Sequence, residues 1–412
     1  MFACVVHAGR LERRGPFVTV MLPRAVTRAM LGGSRDGKTI WLQDDVAPEV
    51  IIPAQLGADG QTMSFVVPGR MPAESSRCFH AVHEVAGERW APPFPVQLEE
   101  RLDRVIFQTS GERWAVYAVH GGRRPYFWPV LGPAGASVVR GQGTAEHPHH
   151  TGMGIAYGGH SEGGSTNIWS DWDEPPYGPG GRMVHRGFRR LAGGPVDGEV
   201  VEDLTYVDAF GEPIVEEVRT IRCWFSSADA RYLDFRCEIL WCRDRGPRPF
   251  LFAIRLPSCF DIPRTGRVSN AVNHPVPAAS RADRQYRTAW VDGSGPTGGP
   301  PPLPPDAPPE TLVDLPGARR REEHAAEGPW NGIALFDHPS NFDYPNVAGK
   351  YAVVAQLTQA HYPPPDARDG PFSFVQRVYI HAGDAEAGQV ALQATSYTEP
   401  CSVEVMEYTE QE

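Results

Sequence analysis

"VRTIRCWF", residues 218–225, is the stretch whose reading decides the fold. Apolar Val218, Ile221 and Cys223 interleave with polar Arg219, Thr220 and Arg222. That imperfect two-residue alternation describes a half-buried strand better than an amphipathic helix. Outward from it, "VEDLTYVD" precedes and "LDFRCEILW" follows. The same composition recurs in "FVTVML", "TIWLQ", "MSFVV", "RVIFQ", "WAVYAV", "GIALFD", "YAVVAQL" and "SFVQRVYIHA". Such runs, roughly ten to twenty residues apart and separated by Gly, Pro, Asp and Asn, mark antiparallel sheets folded into sandwiches or barrels. Helices of three or more turns are scarce, and 41 prolines with 43 glycines interrupt the chain throughout. The expectation is a mostly β protein.

With 412 residues the chain can bury one large core or two ordinary ones. A Pro-rich stretch at 83–103 separates an N-terminal strand-rich region, 1–95, read as a small β-sandwich, from a larger unit over 96–412. Residues 292–312, "DGSGPTGGPPPLPPDAPPETL", read as an inserted Pro/Gly-rich loop, because proline cannot donate to a ladder. A net charge of −11 with scattered arginines argues against nucleic acid. No run reaches the roughly 18 apolar residues of a membrane helix. The start of the chain does not read as a secretory signal. Seven widely spaced cysteines are expected to be reduced thiols in a cytoplasmic protein. A homo-oligomer is left open.

Three segments could carry chemistry. "EHPHH" holds His147, His149 and His150 around a stiffening Pro148. In an extended chain His147 and His149 share a face and His150 takes the other. Imidazole both titrates near neutrality and ligates metals, so proton transfer and metal binding compete, against a plainer role as histidines satisfied by carbonyls. "NIWSDWDEPPYGPGGRMVHRGF" mixes Trp169, Trp172 and Tyr177 with Asp171, Asp173 and Glu174, as a sugar-stacking surface or a packed loop would, and then delivers His185 at the start of a strand. "WNGIALFDHPSNFDYP" places Asp337, His338 and Asn341 at a strand end, as a site or as an Asp-containing turn. Of the adjacent Glu216 and Glu217, one must face inward if the segment is a strand. Arg219, Arg222 and Arg255 are its candidate partners or a clamp for a substrate carboxylate.

In order along the chain, "RPYFWPVLGPAGASVVRG", "EHPHHTGMGIAYG", "GRMVHRGF", "TAWVDGSGP" and "GIALFDHPSNFDYP" resemble a bacterial family of unknown function labelled PmoA or "methane oxygenase", over about residues 115–385. Two departures stand out: Trp128 where that family has His, and "CRDRGPRPFLFAIR" without the family's Lys-Glu-Gly. The resemblance implies a large antiparallel β-supersandwich similar to the galactose-mutarotase-like fold, which binds carbohydrate in the concave face of its larger sheet. The membrane copper chemistry in the label would demand helical spans, which this sequence lacks.

The leading expectation is therefore a carbohydrate-active lyase or hydrolase acting on a sugar or glycoside, oxidised or not. Its catalytic candidates are His149, His150, His185, Glu217, Asp337 and His338. Tyr126, Trp169, Tyr177, Arg255 and Asn341 are expected to bind substrate. His149, His185 and His338, brought together from three strand ends, would hold a divalent metal (Mn, Zn or Ca) or act as acid and base; no nucleotide cofactor is expected. The alternatives are a sugar mutarotase or epimerase and a non-catalytic carbohydrate-binding protein.

Overall fold

The computed structural model describes residues 2–23, 26, 39–82, 90–141, 151–158, 165–169, 179–242, 248–260, 266–272, 286–297, 328–351, 356–365 and 370–407. Among these the chain is a β protein with one α-helix, Val390–Thr398, and every strand pairing is antiparallel. No helix in the described residues is long and apolar enough to cross a membrane.

The stretch 218–225 lies in the longest strand, Pro213–Ser227, at the middle of an eight-stranded sheet. The burial alternates, with one reversal of the expected sides: Val215, Glu217, Arg219, Ile221 and Cys223 are buried, while Val218 is more open along with Thr220 and Arg222. In order, that sheet runs Arg182–Ala192, Asp197–Val207, Pro213–Ser227, Ala230–Trp241, Phe372–Ala382, Trp330–Phe336, Trp290–Pro296 and Arg267–Asn270. A nine-stranded sheet lies against it, built of Tyr286–Arg287, Val347–Tyr351, Gln356–His361, Phe250–Arg255, Met153–Tyr157, Tyr126–Val130, Glu112–Ala118, Arg104–Thr109 and Val96–Arg101. The inner faces of both share one apolar core in which Phe107, Trp114, Phe127, Tyr157, Phe235, Phe250 and Phe252 are prominent. This is the large antiparallel supersandwich that the family resemblance implied.

The N-terminal region forms a seven-stranded sheet around its own core of Phe2, Leu42, Phe65 and Phe79, and its two edge strands approach one another. One edge is Ser402–Glu407, which pairs along its whole length with Phe2–His7. The last strand of the chain thus belongs with the first segment in space, although the sequence groups it with 96–412.

The N-terminal sheet covers the outer face of the eight-stranded sheet together with the helix. Phe17 and Val66 pack on a cluster of Trp224, Tyr232, Phe336 and Tyr379, with Phe17 and Trp224 ring centres 4.7 Å apart. A polar joint accompanies it: the Gln55 side chain donates to Asp197 at 2.5 Å and accepts from the N–H groups of Val196 and Asp197 at 3.1 Å. Burial pushes the Asp197 carboxyl up to about 6, against the opposing charge of Arg222 and with the charge of Glu199 adding to the rise.

The composition of 292–312 misleads at its start. Residues 292–296 complete the strand Trp290–Pro296, paired on both sides, and Asp292 and Ser294 are buried. Residues 298–312 lie outside the described residues.

Candidate functional site

The strands of the nine-stranded sheet separate their residues cleanly. Met153, Ile155, Tyr157, Phe250, Phe252 and Ile254 enter the core, so Gly154, Ala156, Leu251, Ala253 and Arg255 point to the outer face. Pairing of Gly154 with Ala253 and of Arg255 with Gln356 sets these side by side. The outer face has a floor of small side chains, and Trp169 lies on Ala156 and Ala253, itself only 3% exposed. Trp169 is therefore packed against the sheet instead of offering an open stacking surface.

At one end of this face the backbone makes a closed junction. The N–H of Arg255 donates to Gly152 O at 2.8 Å, that of Gly152 to Arg140 O at 2.8 Å, and that of Arg140 to Arg255 O at 2.7 Å. The two ends of the segment carrying His147, His149 and His150 are thereby held beside Arg255. Both flanking glycines are required. A Cβ on Gly141 would lie 2.6 Å from Cε2 of Trp128. One on Gly152, whose φ is +54°, would collide with Phe127 O and press on the Tyr126 ring. Tyr126 and Trp128 are half-buried. Three of the residues expected to touch substrate, Tyr126, Trp169 and Arg255, thus share one region with the roots of the histidine segment. The histidines 147, 149 and 150 themselves, and Tyr177, lie outside the described residues.

The remaining candidates are elsewhere. His185 sits on the edge strand of the eight-stranded sheet and meets Glu202, Nδ1 to Oε1, at 2.6 Å. The other Glu202 oxygen accepts from the Tyr117 hydroxyl at 2.6 Å, and Arg219 donates to that hydroxyl at 3.0 Å. Glu217 does face inward, but into the space between the sheets, where it takes two bonds from Arg219 at 2.8 and 2.7 Å and one from Tyr206 at 2.6 Å. Burial raises both phenols well above their usual range, so they remain donors. For Arg219 burial works downwards, yet the adjacent Glu217 charge and the two tyrosines prevail and hold it above its ordinary value. A carboxylate with both oxygens so engaged, fully buried, is a structural ion pair and not a poised base.

Asp337 is likewise committed. It accepts from the His338 N–H at 2.9 Å, the Asn341 amide at 2.6 Å and the Asn346 N–H at 2.7 Å, while Asn341 also bonds the backbone of Val375 on both its N–H and its carbonyl. Asp337 and Asn341 therefore build the 337–346 turn, the plainer of the two readings that the sequence allowed. His338 bonds Ser340 and meets the Tyr397 ring on the helix, and its pKa is lowered by burial and then by Arg377.

Between the strand of His185 and the strand that ends before His338 lie five strand-to-strand steps, about 24 Å at the usual spacing. No single ion can bridge them, so the set His149, His185 and His338 does not fit a metal centre. Sequence reasoning also missed His361, which is fully buried behind the site sheet, bonds Gln376 at 2.8 Å and has its pKa lowered by burial. It missed as well the buried Asp292–His381 pair at 2.9 Å.

The chain is a β-supersandwich with one outer face framed by aromatic rings, a buried arginine and the base of a histidine segment. Residues 104–395 match the family of unknown function DUF6807, and the chain belongs to that family. No curated protein matches the chain in sequence. Two solved structures from Enterococcus faecalis, a protein in glycosyl hydrolase family 38 and an alpha-mannosidase, are similar over 98% and 100% of this chain at 10% identity and a TM-score of 0.46. The chain spans 47% and 46% of their lengths, and so slight a likeness does not bear on activity.

Proposed function

We propose that the chain binds a sugar or glycoside at the outer face of the nine-stranded sheet and acts on it as a lyase or hydrolase. What supports the reading is the meeting of Tyr126, Trp128 and Arg255 with both ends of the segment that carries His147, His149 and His150. A ring offers a flat apolar face to sugar C–H groups, and a guanidinium offers a planar fork to a carboxylate or paired oxygens. An imidazole, whose ordinary pKa lies near neutrality, can take or return a proton.

Elimination is the reaction these parts serve best. His149 or His150 removes the proton next to a carbonyl or carboxylate, the guanidinium of Arg255 steadies the charge that develops on oxygen, and the neighbouring imidazole protonates the departing oxygen. Hydrolysis by two opposed carboxylates is less well served, because Glu202, Glu217 and Asp337 are committed to structural partners. All seven cysteines are free thiols, in keeping with the cytoplasmic setting that belongs to this proposal.

The test is a thermal-shift screen of the full chain against neutral sugars, uronic acids and 3-keto glycosides, with products followed by proton NMR. We expect a stabilising ligand, an unsaturated product, and loss of turnover with retained binding in His149→Ala plus His150→Ala. Turnover unchanged in that double variant would overturn the proposal. Interconversion of anomers alone would make the chain a mutarotase, and binding without any product would make it a carbohydrate-binding protein.

A further inference from the structure

The solvent face of the N-terminal sheet carries a cluster unrelated to the site above. Cys78 and His80 are two residues apart on the strand Ser76–Val82, so they share a face, opposite to the buried Phe79 and Ala81. Asp45 directly follows the neighbouring strand Thr39–Asp44. Its N–H donates to Cys78 O at 2.9 Å, extending the ladder that pairs Asp44 with Phe79 and Gln43 with His80. The turn beyond is pinned by Val46 N–H on Asp44 Oδ1 at 3.0 Å and by the ion pair of Asp44 with Arg77.

The three side chains converge. His80 Nε2 lies 3.3 Å from Asp45 Oδ1 and 3.6 Å from Cys78 Sγ, and one ligand atom from each of the three falls within 4.8 Å of the others. Zinc bonds of about 2.0 to 2.3 Å in a tetrahedron place neighbouring ligand atoms roughly 3.3 to 3.7 Å apart. The two measured edges are already that long.

We propose that Cys78, His80 and Asp45 form a zinc site on the N-terminal sheet, with the fourth position open to water. Sulfur, imidazole and carboxylate together select a borderline ion such as Zn²⁺, whereas calcium and magnesium take oxygen ligands only. The side chains of His80 and Asp45 are 36% and 62% exposed, which leaves an entry path and room for the water ligand. On binding, the thiol proton passes to solvent and sulfur enters as the thiolate. One strand fixes Cys78 and His80, and the Asp45 N–H on Cys78 O holds the third ligand at the first position beyond its strand, so the ion would clasp the 45–50 turn to the strand behind it.

The test uses the full chain, stripped with a chelator, titrated with Zn²⁺ by calorimetry and with Co²⁺ by absorbance. We expect one zinc equivalent at this site and, with cobalt, tetrahedral ligand-field bands together with a sulfur-to-metal charge-transfer band. Cys78→Ser removes that band and weakens zinc by about tenfold or more, Asp45→Asn weakens it with the band retained, and Cys242→Ser leaves both unchanged. Metal uptake without a sulfur band, as imidazoles at 147–150 alone would give, overturns the site. So does a band that survives in Cys78→Ser, or a wild-type chain that takes up no metal, a result that needs no variant to fold.

Discussion

Two polar regions of the supersandwich look alike in composition and differ in every physical respect that matters. Between the sheets, Glu217, Arg219, Tyr206, Tyr117, Glu202 and His185 form a connected network in which both carboxylates have both oxygens engaged. On the outer face of the nine-stranded sheet, Arg255 and the rings of Tyr126 and Trp128 surround a backbone junction from which the histidine segment departs. Ionisable residues in a strand sequence therefore do not mark a site by themselves. What separates the two is their place: the inner network lies between the sheets with its carboxylates fully engaged, whereas Arg255, itself buried, stands on the outer face where the histidine segment begins and ends.

If that contrast is sound, the inner network should respond in stability and the outer face in binding. The largest effect belongs to Arg219→Met, which strands the Glu217 carboxylate in the core and should cost about 3 to 5 kcal/mol in urea unfolding; Arg219→Met with Glu217→Leu should recover most of it. A single variant as stable as the wild type would dissolve the distinction.

Next comes the joint to the N-terminal sheet. The Asp197 carboxyl binds its proton more tightly when folded, so its charge destabilises the native state increasingly as pH rises from about 4 to 6 and fully above that range. A rise from 3.8 to about 6 corresponds to about 3 kcal/mol. Asp197→Asn should therefore gain up to that amount over the wild type at neutral pH and nothing near pH 4, as measured by unfolding at both. A pH-independent difference would refute the assignment.

Smaller effects test the outer face. Arg255→Met should weaken the ligand found by screening by about 1.5 to 3 kcal/mol, the worth of a charged hydrogen bond. Tyr126→Leu should weaken it by about 1 kcal/mol, on the scale of aromatic contacts. Calorimetric titration reads both, and affinities unchanged in both variants would move the ligand elsewhere.

Much of the fold was legible because it depends on local alternation. The strand at 218–225, its two neighbours and the requirement that one of Glu216 and Glu217 face inward all follow from a period of two; that it is Glu217, in phase with the buried Arg219, does not. The histidine convergence was not legible. His185 and His338 each stand at a strand end, but which strand lies beside which is fixed by pairing across long sequence separations, and the pairing put five steps between them. The run at 292 failed for another reason: Asp, Gly, Ser and Pro are turn formers by propensity, and only the buried partner His381 and strands on both sides make "VDGSGP" a strand. The cluster of Cys78, His80 and Asp45 was not read from the sequence either, because nothing in it announces that Asp45 is the neighbour of the other two.

The pairing of Phe2–His7 with Ser402–Glu407 has a consequence for how the chain is made. During synthesis the first strand leaves the ribosome long before its partner exists, so its outer edge stays bare while some four hundred residues are added. A strand made hundreds of residues before its partner is thus among the last to be completed, and it must be shielded from pairing with a stranger until then.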